Sequence, residues 1–313
     1  MTKCLVVGGS GYVGRELCGQ LASRGDELYV LARSDQPEGA PGTWLKGDIK
    51  KPETIQAALG DHRFDVIYHT ASHAGDTGDP ADMVATNLQG LTHMLVYARD
   101  TRVGRFVLTS SVSAHGWYPG AEFHPADYLP VDEEHPARPQ DMYSSTKRMQ
   151  EILAMTFYHQ HGVPVTALRL TVVAGPDGHG GSSAWREFAE KLQEGQRVQI
   201  FHFSPEEICH YVDVRDVARM HIVAGGHPNA PGEIFDCCGP TPTRGSEFAE
   251  IVRHLVPGIN VEYGFPWSLA QGGEIYFTMS KAKELLDFEP QYAFEKTLLS
   301  IKQWIDAGGL DKS

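Results

Sequence analysis

Apolar residues occur along the first 170 positions in two alternating patterns. The continuous runs KCLVV (3–7) and ELYVLA (27–32) flank GYVGRELCGQLASRG (11–25), in which apolar residues recur every three or four positions. A continuous apolar run of this length is typical of a buried strand, and the longer period is typical of a helix that covers it. The start of the chain therefore predicts a βαβ unit.

The alternation of strand and helix continues along the chain. Further strands are predicted at 43–48, 65–71, 105–111 and 164–170, and further helices at 52–60, 80–101 and 141–161, with a polar, Pro-rich loop from about 115 to 140. Apolar strands without polar alternation, separated by helices, are typical of parallel sheets covered on both faces. The predicted fold class is α/β, a Rossmann-type doubly wound parallel sheet.

Glycines follow the first predicted strand at GxxGxxG spacing in VVGGSGYVG. This spacing allows a tight turn, close approach of a pyrophosphate and close packing of helix on strand, and the helix N-terminus supplies free N–H donors. A second match, GPDGHGG at 175–181, has a proline in the turn and lacks apolar residues to seat a helix. The first match predicts a dinucleotide site, with Gly8, Gly11, Tyr12, Val13 and Gly14 as its residues.

After residue 174, the alternation of predicted strands and helices gives way to a sequence rich in glycine and proline. We expect residues 1–174 to form a dinucleotide-binding Rossmann domain, with strand exchange after residue 205. Residues 175–313 are expected to form mainly a smaller C-terminal substrate lobe, which ends in a helix at 293–307. Such a lobe would lie over the carboxyl ends of the strands, where open α/β sheets hold their ligands.

The second strand ends in LARSD, where the cofactor's adenosine ribose would be recognised. Arg33 follows the strand directly, and an acid appears only at Asp35. An acid at the strand end would hold the 2′-hydroxyl of NAD, whereas an arginine accommodates the 2′-phosphate of NADP. We therefore expect NADP, with NAD as the alternative.

Charge and composition limit the remaining classes of function. Lys and Arg number 27 against 40 Asp and Glu, and a net charge of −13 argues against nucleic acid or an anionic membrane as the main partner. The apolar run at the start of the chain is too short for a signal peptide or a membrane span, so we expect a cytoplasmic protein. The five cysteines include no CxxC and predict buried, reduced thiols, and the fifteen histidines show no ligand pattern, so no metal is expected.

The stretch MYSSTKRMQE places Tyr143 and Lys147 four residues apart, a spacing that puts both side chains on one helix face. Tyr292 and Lys296 repeat this spacing near the end of the chain. The spacing alone therefore does not decide which pair transfers protons.

Several segments, in order, resemble the extended short-chain dehydrogenase/reductase family, in its NAD(P)-dependent epimerase/dehydratase and dihydroflavonol-reductase-like group. They are GGSGYVG, KGDIKKPETI, DVIYHTAS, NLQGLTHMLVYAR, RFVLTSSVSAHG and YSSTKRMQE, and the resemblance covers nearly the whole chain. It implies that the cofactor is flanked or supported by Asp48, Ile49, Thr70, Ala71, Ser72 and Asn87.

The resemblance also implies a catalytic set of Ser111, Tyr143 and Lys147, of which Tyr143 and Lys147 also contact the cofactor. We expect hydride transfer between the nicotinamide and a ketone, aldehyde or secondary alcohol, with Tyr143 as general acid/base. The Lys147 ammonium and the positive nicotinamide ring are expected to lower the pKa of Tyr143 by about two to three units.

Departures from the family pattern bear on the type of reaction. Val112 and Ser113 stand where the family's dehydratases carry an acidic pair, which disfavours dehydration. Val172 and Cys209 stand where nucleotide-sugar epimerases carry an asparagine and an arginine that hold the diphosphate. We therefore favour a net oxidoreductase, with a sugar or nucleotide-sugar epimerase that retains NAD as the alternative. A cofactor-binding regulator is less consistent with an intact catalytic set.

Aromatic and histidine side chains in the loops suggest a partly apolar small-molecule substrate, whose identity the sequence does not give. The expected substrate-binding residues are His73, Trp117, Tyr118 and Trp185, and Trp267 lies in a further rim segment. The resemblance implies a possible homodimer through the helices at 80–101 and 141–161. Met142, Met149, Met155 and Phe157 suit such an interface and suit a core equally well.

Overall fold

The structure is a computed structural model that describes residues 1–73, 75–118, 123–176, 183–265, 268–271 and 273–310. Its strands are β1 (Lys3–Val7), β2 (Glu27–Ala32), β3 (Thr43–Lys46), β4 (Val66–His69), β5 (Arg105–Ser111), β6 (Val165–Leu170), β7 (Val172–Ala174), β8 (Arg197–Gln199), β9 (Ile208–Cys209), β10 (Tyr211–Asp213), β11 (Ile234–Cys237), β12 (Thr243–Arg244) and β13 (Asn260–Glu262). Its α-helices are α1 (Tyr12–Ser23), α2 (Pro52–Leu59), α3 (Pro80–Val84), α4 (Leu91–Thr101), α5 (Met142–His161), α6 (Ser183–Glu194), α7 (Val214–Gly226), α8 (Gly245–Leu255), α9 (Ser280–Leu286) and α10 (Phe294–Asp306).

Seven parallel strands form one sheet in the order β3, β2, β1, β4, β5, β6 and β11. This confirms the doubly wound parallel sheet that the alternating pattern predicted. The direction of winding reverses between β1 and β4, and ligands of such sheets bind beyond the carboxyl ends of the strands at this point. The chain leaves the sheet after β6 and returns to it as the edge strand β11.

Successive residues of the central strands point to opposite faces of the sheet. Cys4 and Val6 of β1 pack in a cluster with side chains of α1 and α7, whereas Leu5 and Val7 pack on the other face with side chains of α2, α4 and α5. Because both faces are covered, all four side chains from Cys4 to Val7 are buried, which explains the unbroken apolar sequence of this part of the strand.

The segments after β6 form a third cluster of buried side chains that is rich in aromatic residues. Trp185 and Phe188 of α6 meet Phe201, Phe248 of α8 and Phe294 of α10, and the ring centroids of Trp185 and Phe201 are 4.4 Å apart. Short two-stranded sheets join β7 to β10, β9 to β12 and β8 to β13. This cluster holds Trp185 at the border of the cavity described below.

The helix predicted over 80–101 is interrupted, which the sequence pattern did not indicate. A π-helical segment, Ala85–Gly90, separates α3 from α4. Gly90 packs so closely on Ile49 that a Cβ at Gly90 would lie 2.7 Å from the Ile49 side chain. Asn87 lies buried in the wider turn, and such π segments are frequent at functional sites.

All five cysteines are buried and free, which confirms the predicted reduced thiols. Within the described ranges, no helix combines the length and apolar character that a membrane span requires. On α5, Phe157 is buried in the core, whereas Met142 and Met149 are exposed.

Candidate functional site

The glycine turn between β1 and α1 leaves no room for side chains. Gly8 has a φ of 90°, and a Cβ there would lie 2.7 Å from the backbone nitrogen of Ala71. A Cβ at Gly14 would lie 2.4 Å from the carbonyl oxygen of Gly8, so α1 packs directly on the turn. Gly11 is the N-cap of α1 and provides no side-chain cap. The turn therefore forms an open cradle beside the helix N-terminus, a geometry suited to phosphate.

A cavity of about 560 Å³ extends from this turn along the carboxyl edge of the sheet. It brings together most of the residues that the sequence predicted. The predicted residues that line it are Gly8, Gly11, Tyr12, Val13, Gly14, Arg33, Asp48, Ile49, Thr70, Ala71, Ser72, Ser111, Tyr143, Lys147 and Trp185. The second glycine run, at 175–181, falls mostly outside the described residues.

One end of the cavity carries the charges that would face an adenosine ribose. Arg33 lies exposed at this end. Asp35 is engaged elsewhere, because its carboxylate accepts a hydrogen bond of 2.8 Å from Lys46. Lys50 also lines the cavity and was not predicted, although it follows Asp48 and Ile49 directly in KGDIKK.

The predicted catalytic side chains converge at the other end of the cavity. Ser111 is the last residue of β5, and its hydroxyl lies near the phenol of Tyr143 in the first turn of α5. The Ser111 hydroxyl itself donates a 3.1 Å hydrogen bond to the Ser113 hydroxyl. Lys147 follows one turn later, with its Nζ 5.7 Å from the centroid of the Tyr143 ring. The Lys147 Nζ donates a 3.1 Å hydrogen bond to the carbonyl oxygen of Thr109.

Burial shifts the pKa of both titrating groups of this set, Tyr143 and Lys147. The pKa of Tyr143 is raised, whereas the sequence led us to expect that it is lowered. Desolvation raises the pKa of Tyr143 to about 12, only partly offset by the nearby Ser111 hydroxyl. The Lys147 ammonium, 5.7 Å from the centroid of the Tyr143 ring, does not offset this rise in pKa. Burial also lowers the pKa of Lys147 to about 8, against the opposing charge of Glu151.

Asn87 does not line the cavity but holds its walls in place. Its Oδ1 accepts hydrogen bonds from the backbone nitrogen of His73, at 2.7 Å, and from the Ser72 hydroxyl, at 3.0 Å. Its Nδ2 donates to the Thr146 hydroxyl at 2.9 Å. Asn87 therefore ties the segment after β4 to α5, the helix that carries Tyr143.

The four predicted substrate-binding residues have different environments. Trp185 borders the cavity, and the Tyr118 ring lies 5.3 Å from that of Tyr143, with its hydroxyl accepting from the backbone nitrogen of Asp76. The structure corrects the prediction that Trp117 binds substrate. Its side chain is only 2 % exposed, packs among buried rings and donates a hydrogen bond to a backbone carbonyl, so Trp117 is a core residue. His73 is half-buried and does not line the cavity, and Trp267 lies outside the described residues.

One wall of the cavity, next to Ser111, is largely apolar and was not predicted as a substrate surface. It comprises Leu170, Thr171, Val172 and Val173, which follow one another in LRLTVVAGP. Cys209 is buried and borders no part of this cavity that the structure describes. Among the described lining residues, the basic side chains are Arg33, Lys50 and Lys147.

Comparisons with known proteins agree with this architecture. The model of the NAD dependent epimerase/dehydratase family matches residues 4–238. A UDP-glucose 4-epimerase of Rhizobium meliloti is 25 % identical over 96 % of this chain and 96 % of its own, and a dTDP-glucose 4,6-dehydratase of Streptomyces niveus is 26 % identical over 96 % and 92 %. A solved epimerase structure from Methanothermobacter thermautotrophicus superposes with a TM-score of 0.85 at 25 % identity, covering 100 % of this chain and 95 % of that one.

Proposed function

The chain belongs to the NAD dependent epimerase/dehydratase family and is an enzyme of the extended short-chain type, and from this premise we propose that it moves a hydride between a nicotinamide cofactor and an oxygen-bearing carbon, with Tyr143 as the proton donor or acceptor. The observation that carries the proposal is the meeting of Ser111 and Tyr143, with Lys147 one helical turn away, in the same cavity as the glycine turn.

The cavity fits a dinucleotide because it begins at a glycine turn beside a helix N-terminus, whose close backbone packing excludes a Cβ at Gly8 and Gly14. The nicotinamide cofactor supplies or accepts the hydride when it is bound. Gly8, Gly14 and the N-terminus of α1 would hold the pyrophosphate, and Thr70 and Ala71 would lie along the cofactor.

In reduction, Ser111 orients the substrate oxygen by hydrogen bonding, and Tyr143 gives its phenolic proton to that oxygen. The raised pKa keeps Tyr143 protonated at neutral pH, which is the form that reduction requires. Lys147 supplies a positive charge beside the phenolate that forms. Oxidation of an alcohol follows the same path in reverse, with Tyr143 accepting the proton.

We favour net oxidation or reduction over epimerisation because of the wall beside the catalytic set. Val172 lines the cavity with neighbouring apolar side chains, and Cys209 is buried, with its pKa raised to about 12 by desolvation. A diphosphate needs cationic or N–H partners, and neither position supplies one from its side chain. The favoured substrate is therefore a partly apolar carbonyl compound or secondary alcohol.

A sugar epimerase is the second candidate, because the similar protein of Rhizobium meliloti is a UDP-glucose 4-epimerase. The absorbance band of the reduced nicotinamide separates the two functions. With a carbonyl library and NADPH, a net reductase consumes one equivalent of reduced cofactor per product, and this is the expected result. Conversion of UDP-sugars without any net change in absorbance would establish the epimerase instead.

Arg33 is expected to give the enzyme its preference for NADP. Arg33→Ala should weaken NADPH about tenfold by removing charge-assisted hydrogen bonds to the 2′-phosphate, while NADH changes less than about twofold. Fluorescence titration of both cofactors measures the effect, and Arg253→Ala, an exposed arginine on α8, is the control. Equal or tighter binding of NADH by the unmodified protein would refute the preference.

A further inference from the structure

A buried ion pair lies directly behind the catalytic set, outside the cavity. Glu151 of α5 is 0 % exposed and Arg169 of β6 is 3 % exposed. The Arg169 guanidinium donates through Nε to Glu151 Oε1 at 2.9 Å and through Nη2 to Oε2 at 3.0 Å. A bidentate pair of this kind fixes both the distance and the orientation of the two elements that carry it.

Glu151 also touches the strand that ends in the catalytic serine. The hydroxyl of Ser110, the residue before Ser111, donates a 2.7 Å hydrogen bond to Glu151 Oε1. Tyr143, Lys147 and Glu151 recur every four residues and therefore share one face of α5. The Glu151 carboxylate thus connects the end of β5, which carries Ser111, to the face of α5 that carries Tyr143 and Lys147.

We propose that Glu151 is a positioning residue for hydride transfer, which holds Ser111 against Tyr143 through Ser110 and supplies the negative charge that faces Lys147. Arg169 fixes the Glu151 carboxylate in this position from β6. The part of the inference that concerns turnover rests on the proposed function, whereas the coupling of Glu151 to Lys147 does not.

Among the groups that the structure describes around Lys147, Glu151 is the source of negative charge. Tyr143, on the same helix, is protonated at neutral pH, because burial raises its pKa. His69 on β4 is neutral, because burial and the Lys147 charge lower its pKa to about 3. Thr109 on β5 contributes a carbonyl oxygen. The 2 % exposed Lys147 therefore depends on Glu151 to remain an ammonium near neutral pH.

The groups around the ion pair keep Glu151 ionised. The carboxylate accepts a further 3.0 Å hydrogen bond from Arg148 on α5. Desolvation alone would raise the pKa of Glu151, but the charge of Arg169 and the hydrogen bonds to the carboxylate outweigh it, so the pKa is lowered. Arg169 is itself held by His115 Nε2, at 3.1 Å, and by the carbonyl oxygen of Glu133, at 3.2 Å. Glu151 therefore carries its charge throughout the pH range in which Lys147 titrates.

The test is an NMR titration of Lys147 with ¹³Cε-labelled lysine, its resonance assigned with Lys147→Met. Glu151→Gln keeps the shape of the side chain and removes its charge, so the pKa of Lys147 is expected to fall by about one unit. In the reducing direction, the alkaline limb of the pH–rate profile should move to lower pH by the same amount. Turnover should also fall about tenfold, with NADPH affinity nearly unchanged.

Two other variants separate positioning from charge. Ser110→Ala removes only the link to β5 and is expected to lower turnover while leaving the Lys147 titration unchanged. Glu194→Gln, which removes an exposed carboxylate paired with Lys191 on α6, is expected to change neither. If Glu151→Gln fails to fold, the double variant Glu151→Gln/Arg169→Gln removes both charges, and the pKa of Lys147 should still fall, because the charge of Glu151 is the one that opposes desolvation at Lys147.

An unchanged Lys147 titration in a folded Glu151 variant would overturn the coupling, and full turnover in both Glu151→Gln and Ser110→Ala would overturn the positioning role. A lowered pKa of Lys147 together with full turnover in Tyr143→Phe would have a different meaning. It would support the coupling and refute the proposed function.

Discussion

Replacement of Tyr143 by phenylalanine is expected to lower turnover by about 10³-fold while leaving cofactor affinity within about twofold. The substitution keeps the ring, whose centroid lies 5.3 Å from that of Tyr118, and removes only the oxygen that we propose exchanges the proton. General acid/base groups typically contribute about 10² to 10⁴ to a rate, which sets the magnitude. Stopped-flow measurement of the absorbance of the reduced nicotinamide gives the turnover, and fluorescence titration gives the affinity.

The second Tyr–Lys pair of the chain provides a matched control for this variant. Tyr292 has the same four-residue spacing from Lys296 but lies elsewhere, with the guanidinium of Arg215 3.8 Å from its ring centroid. Phenylalanine retains that cation–π contact, so Tyr292→Phe should keep full turnover and stability. Retention of more than about a tenth of the activity by Tyr143→Phe would show that another group transfers the proton.

The central strands of the sheet were predictable from the sequence because they are buried on both faces. In β1, Cys4, Leu5, Val6 and Val7 are all apolar, and no polar residue interrupts the run. The gathering of predicted residues in one cavity followed from the same reasoning, since the carboxyl ends of β1, β4 and β5 meet at one edge of a parallel sheet. Gly8, Thr70 and Ser111 lie at or directly after those ends.

The environments of single side chains were not predictable in the same way. Trp117 is buried because its ring meets Phe277, which is distant in the sequence, and because its indole N–H donates to His124. The pKa of Tyr143 depends on how much of its phenol is desolvated, which only the packing of α5 against its neighbours determines. The π-helical turn around Asn87 also depends on contacts between distant segments. The Asn87 side chain accepts hydrogen bonds from the Ser72 hydroxyl and the backbone nitrogen of His73, which follow β4.

A single methyl group at Gly14 is expected to lower cofactor affinity at least about 100-fold and to destabilise the fold by about 2 kcal/mol. The Cβ of Gly14→Ala would lie 2.4 Å from the carbonyl oxygen of Gly8 and 2.7 Å from the Cα of Gly9. These are backbone atoms of the glycine turn, so a change of side-chain rotamer cannot relieve the overlap. The N-terminus of α1 must therefore move away from β1, and its N–H donors leave the positions that face the cradle.

The same helix contains the control that separates this effect from a general effect of alanine. Gly19 is exposed on α1, and a Cβ there would meet nothing within 4 Å. Gly19→Ala should therefore stabilise the protein by about 0.5 to 1 kcal/mol, because alanine loses less backbone entropy in a helix, and should leave cofactor affinity unchanged. Urea unfolding and NADPH titration of the two variants measure opposite changes in stability and a loss of affinity in Gly14→Ala alone. Undiminished affinity in Gly14→Ala would mean that the glycine turn does not hold the pyrophosphate, because a displaced helix N-terminus could not keep its donors on the same phosphate oxygens.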